Sequence, residues 1–228
     1  MVNPIIVALD VPSLNEATTL AESLVEEVGG FKVGMELLMG AGPVAIETIA
    51  AMGPPVFVDA KLHDIPHTVE RAAMRIKASG ARWVTAHAVG GQEMMEAAVI
   101  GMGGRGVLAV TMLTSLGQTD LESVGVSALA SDYVVSLASL AASSNTEGVV
   151  CSPDEIRRVK EKEPALMVFA PGVRPVSSEV DDQKRVATPE HARANGADFL
   201  VIGRPITRAA DPVTAAREIA TAIGLSDS

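Results

Sequence analysis

Short apolar runs alternate along the whole chain with stretches whose apolar positions recur every three or four residues. The runs are Ile5–Asp10 (IIVALD), Phe31–Met35 (FKVGM), the opening of Val56–Thr68 (VFVDAKLHDIPHT, which closes as the start of a helix), Trp83–Ala88 (WVTAHA), Val107–Met112 (VLAVTM), Glu147–Cys151, Leu166–Ala170 (LMVFA) and Asp198–Gly203 (DFLVIG). Runs this short and this continuous suit strands of a parallel sheet buried on both faces. The intervening stretches place apolar residues on one helical face. Leu14, Ala17, Leu20, Ala21, Leu24 and Val28 form the first such face. Val69, Ala72, Ala73 and Ile76 form another, and Val213, Ala216, Ile219, Ala220 and Ile223 the last. Gly29-Gly30 should end the first helix, and a single helix should follow the second run to about Met52. Gly90-Gly91 opens a short helix that GMGGRG closes, and a polar stretch from Thr114 to Gly125 precedes a helix near Ser127–Ser143. Ser152-Pro153-Asp154-Glu155 reads as a capping box with proline at the first helical position. Thr188-Pro189 and Asp211-Pro212 start the final two helices. Strict alternation of eight strands with helices predicts an α/β fold, a (β/α)8 TIM barrel forming a single domain over residues 1–228. A doubly wound open sheet is the alternative.

The third run breaks the pattern. In VFVDAKLHDIPHT, Asp59, Lys61 and Asp64 place three charges within six positions, at the point where a strand gives way to a helix. Side chains two apart on a strand share a side, so Asp59 and Lys61 should face one way and Val58 and Ala60 the other. Burying such ions costs several kcal/mol each unless they are well paired. A structural ion pair closing the barrel is the plain alternative. Their position favours chemistry, because parallel α/β folds keep their active sites at the C-terminal ends of strands.

The same rule selects Asp10 after the first run, Lys32 in the second, His87 in the fourth, and Thr114 or Ser115 after the fifth. Asp10 alone would read as a helix cap, and His87 as a core histidine. Lys32, set in an apolar strand, requires a carboxylate partner. After the seventh and eighth runs come Pro171-Gly172 and Gly203-Arg204, where barrels of this type bind phosphate: glycine admits backbone N–H groups and arginine supplies a bidentate fork. The segment Gly172–Thr188 is long for a βα loop, which suggests a lid, and it carries Arg174 and Gln183.

Composition narrows the options. A net charge of −10 makes the chain a poor general partner for nucleic acid or an anionic membrane. An anionic ligand would have to be met by locally gathered cations. The sole cysteine, Cys151, rules out an internal disulfide and fits a reducing cytoplasm; it reads as a small core residue. The start, MVNPIIVALD, has no basic leader and no cleavage site, and no apolar run approaches a membrane span. The histidines and acids show no metal-ligand spacing.

The segment DAKLHDIPHT resembles the D-x-K-x-x-D-I-P-x-T signature of the orotidine 5′-phosphate decarboxylase family, and the likeness extends over nearly the whole chain. It takes in LD at Asp10, FKVG at Lys32, APGVRP at Pro171, DDQ at Gln183 and VIGRPIT at Gly203-Arg204. The resemblance implies decarboxylation of orotidine 5′-monophosphate to UMP with no metal and no organic cofactor. It also implies a homodimer with shared active sites. It assigns the proton donor to Lys61, within a charge array of Lys32, Asp59, Lys61 and Asp64. Asp10 and Lys32 would hold the ribose, and Thr114 the pyrimidine. Arg174, Gln183, Gly203 and Arg204 would grip the phosphate, and Pro171 would be among the substrate-binding residues. Asp64, Ile65 and Thr68 would reach into the partner's site. Two rival readings remain at this level. One is a magnesium-dependent phosphosugar decarboxylase or aldolase, which shares D-x-K-x-x-D but not I-P-x-T. The other is a non-catalytic phosphate-binding barrel.

Overall fold

The computed structural model describes residues 3–175 and 187–225, and in it the strands close into a parallel barrel. The strands are β1 (Ile5–Ala8), β2 (Gly30–Val33), β3 (Val56–Leu62), β4 (Trp83–His87), β5 (Val107–Val110), β6 (Gly148–Val150), β7 (Met167–Ala170) and β8 (Phe199–Ile202). Strand β1 pairs with both β2 and β8, which excludes the open doubly wound sheet. Each strand sends its chain outward through helix, and the helices bury their apolar faces against the outside of the barrel. Ala17, Ala21 and Leu24 of the helix Leu14–Leu24 do so, as do Val69 and Ala73 of Pro66–Ala78 and Ala216 and Ile219 of Pro212–Ala222.

The lumen is a separate, aromatic core. Three of the chain's four phenylalanines and its only tryptophan lie there: Phe57, Phe169, Phe199 and Trp83. The Phe169 ring lies 4.5 Å from Phe199, 5.2 Å from Trp83 and 5.6 Å from Phe57, centroid to centroid. Ile6, Leu108 and Val201 fill the remaining space. Beneath this plug, Arg82 and Glu147, each one residue ahead of its strand, form a bidentate ion pair. The Arg82 guanidinium sits 4.7 Å from the Trp83 ring centre, and the indole N–H donates to Glu147 at 3.3 Å. Among the described residues, the rings and this ion pair fill the N-terminal half of the lumen.

Local departures from the sequence reading have identifiable causes. The expected helix to Met52 is two helices, Met35–Ala41 and Val44–Ala50, because Gly42 turns to a φ of +67° and Pro43 follows it. A short helix, Gln118–Ser123, occupies the stretch read as polar loop, with the Asp120 carboxylate accepting from Gly117 N–H. The capping box at Ser152 does not form as expected. The Ser152 hydroxyl accepts from Asp154 N–H, which makes a turn first, and the helix begins at Ile156 with no side-chain cap. The starts at Thr188 and Asp211 hold, with both side chains accepting first-turn N–H groups. Among the described residues no helix is long and apolar enough to cross a membrane.

Phe169 contacts three other lumen rings, so Phe169→Ala should leave a cavity that its neighbours cannot fill. Urea unfolding should show a loss of about 3–5 kcal/mol; a loss below about 1 kcal/mol would mean that the plug is not a packed core.

Candidate active site

The open end of the barrel is shaped by an irregularity in β3. Val58 pairs with Val84 and Leu62 with Ala86, so Asp59, Ala60 and Lys61 stand opposite Thr85 alone. The chain accommodates the excess by bulging, and Lys61 takes a φ of +48°, a left-handed conformation uncommon for a residue with a side chain. Thr85 holds the bulge. Its hydroxyl accepts from the Lys61 backbone N–H at 2.8 Å and donates to Asp59 Oδ1 at 2.9 Å. Simple alternation predicts that Asp59 and Lys61 share a side. They do, and Lys61 Nζ lies 2.6 Å from Asp59 Oδ2, but a bulge rather than a regular strand brings them together.

Asp59 is the centre of a line of alternating charge. Its Oδ2 also lies 3.7 Å from Lys32 Nζ, which donates to Asp10 Oδ1 at 2.8 Å. The side chain of Lys32 is 9% exposed and that of Asp59 16%, so the pair is largely withdrawn from water. Asp10 is free for this role because Ser13, not Asp10, caps the following helix. Gly34 makes the geometry attainable: a Cβ there would come within 2.2 Å of Asp10 Oδ1 and 2.8 Å of Lys32 Nζ. Burial raises the Asp59 pKa, but the Lys32 and Lys61 charges, with hydrogen bonds from Lys61 and Thr85, outweigh burial and hold it below the ordinary aspartate value.

These groups line a cavity of about 570 Å³ whose floor includes Ala8 and Phe57 from the lumen core. Asp10, Lys32, Asp59 and Lys61 occupy one wall. Pro171, Arg174, Gly203 and Arg204 all lie on the same cavity. Of the two candidates after β5, Thr114 lines the cavity and Ser115 does not. Cys151 is buried in the wall. His87 lies outside the cavity, half-buried, with its ring 5.6 Å from that of His63. Asp64, Ile65 and Thr68 are also off the cavity and exposed, Ile65 at 67%. Gln183, and most of the loop read as a lid, lie outside the described residues. The two ends of that loop meet, where Arg174 N–H donates to the Ala187 carbonyl at 2.9 Å.

Three residues at the site escape a motif-based reading. Thr85 looks like any β-branched strand residue, although its place two positions before His87 puts it on the strand facing the signature. Gly34 stands in the FKVG run, where its need for space is invisible without Asp10. Arg208, four residues beyond Arg204, adds a further cation to the cavity lining. Among the described residues no three His, Cys, Asp or Glu side chains converge as a metal-binding group.

Comparison with known proteins gives a consistent picture. The family model described as "Orotidine 5'-phosphate decarboxylase / HUMPS family" matches residues 3–219. A protein from Paramagnetospirillum magneticum, named orotidine 5′-phosphate decarboxylase, is 46% identical and spans 99% of this chain and all of its own length. One of the same name from Anaeromyxobacter sp. (strain K) is 48% identical, covering 95% of this chain and 96% of its own. Among solved structures, orotidine 5′-phosphate decarboxylase from Lactobacillus acidophilus superposes with a TM-score of 0.86 at 33% identity, over 97% of this chain and 99% of that one.

Burial, with the nearby His63 and Lys61 charges, holds His87 below the ordinary histidine pKa. In the unfolded chain this residue takes up a proton near pH ~6.5, while the folded state resists it. The resulting stability is complete above that pH and is lost as pH falls from it toward the folded-state pKa. Wild type should therefore lose more stability than His87→Gln in urea unfolding between about pH 8 and about pH 5. Parallel losses would contradict this.

Proposed function

Because the chain belongs to the orotidine 5′-phosphate decarboxylase / HUMPS family and converts orotidine 5′-monophosphate to UMP with release of CO2, the final step of de novo pyrimidine synthesis, we propose that Lys61 is the proton donor of that reaction. The observation that carries this reading is the Lys61 ammonium, 2.6 Å from Asp59 on the cavity wall. The C6–carboxylate bond breaks heterolytically, CO2 departs, and the electron pair stays on C6 in the plane of the ring, where the π system stabilises it poorly. Groups already in place must do so electrostatically. Lys61 faces the developing charge and transfers its proton to C6, leaving UMP and a neutral amine that solvent reprotonates. Asp59 orients that amine and stands near the departing carboxylate.

The remaining roles follow the cavity. Asp10 and Lys32 hold the ribose, and Thr114 contacts the pyrimidine. Pro171, Arg174, Gly203 and Arg204 form the phosphate end, where binding energy remote from C6 is converted into positioning. Asp64, Ile65 and Thr68 serve a second subunit. Their exposure and their absence from their own chain's cavity support a homodimer in which each chain completes its partner's site. The cytoplasm is the compartment that a single buried cysteine fits.

Lys61→Ala should lower turnover of orotidine 5′-monophosphate, followed by absorbance, by at least about 1,000-fold while UMP still binds. Substantial residual turnover would refute the proton-donor role. Wild-type activity should survive a chelator; its loss would favour the magnesium-dependent reading. Mixing inactive Lys61→Ala and Asp64→Ala chains should restore activity through hybrid dimers that hold one intact site. An inactive mixture of verified heterodimers would argue against sharing across the interface.

A further inference from the structure

We propose that Thr85 is a positioning residue for the reaction, acting by holding the Lys61 backbone in its left-handed bulge and the Asp59 carboxylate in line with the Lys61 amine. The proposal rests on the reading of Lys61 as proton donor. Thr85 is 0% exposed and does not line the cavity, so it has no route to substrate. Its hydroxyl nevertheless makes the two bonds on which the catalytic pair depends. It has one hydrogen, which goes to Asp59 Oδ1 at 2.9 Å, and one of its two lone pairs receives the Lys61 amide N–H at 2.8 Å. The direction of each bond is dictated, because an ionised carboxylate can only accept and an amide N–H can only donate.

The geometry explains why a hydroxyl is needed there. Three residues of β3 stand opposite one residue of β4, so the ladder cannot supply a backbone acceptor for Lys61 N–H. At a φ of +48° the conformation of Lys61 is not self-sustaining and requires a tether. Thr85 is the tether, and the same atom fixes the carboxylate oxygen that does not face the lysines. Asp59 Oδ2 is thereby left to Lys61 at 2.6 Å and Lys32 at 3.7 Å. Without the hydroxyl, Asp59 can rotate and Lys61 can relax toward a regular strand, moving the amine away from its position over the cavity.

Thr85→Val keeps the shape and removes the hydroxyl, while Thr85→Ser keeps the hydroxyl and removes the methyl. Steady-state kinetics on orotidine 5′-monophosphate should show kcat of Thr85→Val reduced by about 100-fold, the scale of a misplaced catalytic group, with KM changed by less than about threefold. Thr85→Ser should stay within about threefold of wild type in both constants. Two results would overturn the proposal. One is a Thr85→Val enzyme with wild-type kcat. The other is equal impairment of the two variants, which would assign the effect to packing. Should Thr85→Val fail to fold, a kcat for Thr85→Ser reduced by about 100-fold would overturn it by the same logic, and a near-wild-type one would support it. Lys61→Ala, run in parallel, separates the two claims: its inactivity alongside a fully active Thr85→Val would remove the positioning role and leave the proton donor standing.

Discussion

One carboxylate determines what the open end of this barrel can do. Asp59 is withdrawn from water, which by itself would drive it toward the neutral acid. It remains an anion because two lysines and a hydroxyl converge on it, Lys61 and Lys32 on one oxygen and Thr85 on the other. Breaking a buried pair of this kind by removing one partner costs about 3–5 kcal/mol, because the other is left uncompensated. The arrangement is therefore a commitment: each member is needed once the others are present. That is a costly way to gain stability, but a suitable way to hold an ammonium at a fixed point in a partly dry cavity, where its field is weakened least.

The rest of the fold serves this constraint. The aromatic plug of Phe57, Phe169, Phe199 and Trp83 closes the lumen and supplies the floor on which the charges rest. The Arg82–Glu147 pair lies at the far end, on the other side of the plug from the charged cavity. Gly34 leaves the room that Asp10 and Lys32 need. Arg174, Arg204 and Arg208 are gathered on the same cavity in a chain whose net charge is −10. A diffuse basic surface would bind anions indiscriminately. A few arginines set at one end of an acidic molecule bind an anion of the right length and shape.

Much of this was legible in the sequence. Short continuous apolar runs alternating with a period of three to four were enough to recognise the barrel, and the charges within its strands pointed to the mouth. What alternation could not reveal was how Asp59 and Lys61 come to share a side, since a bulge is a mismatch between two strands and leaves no trace in either alone. Thr85 was missed for the same reason: its role exists only once β4 lies beside β3. The helix break at Gly42-Pro43 could have been read from the dipeptide itself, but the apolar periodicity on either side concealed it. The capping box at Ser152 failed because the hydroxyl satisfied a nearer amide first. The positions of Asp64, Ile65 and Thr68 mark another limit, since periodicity within one chain says nothing of what a second chain would bring.

The most direct test of the central claim is the titration of the Asp59 carboxyl carbon, followed by NMR in enzyme labelled at aspartate and assigned with Asp59→Asn. Asp59 should titrate below the ordinary aspartate value, because the two lysines and Thr85 favour its ionised form more than burial opposes it. A carboxyl that takes up its proton at or above the ordinary value would show that the charges do not converge on it, and the account of how this barrel stabilises negative charge on a nucleotide ring would not stand.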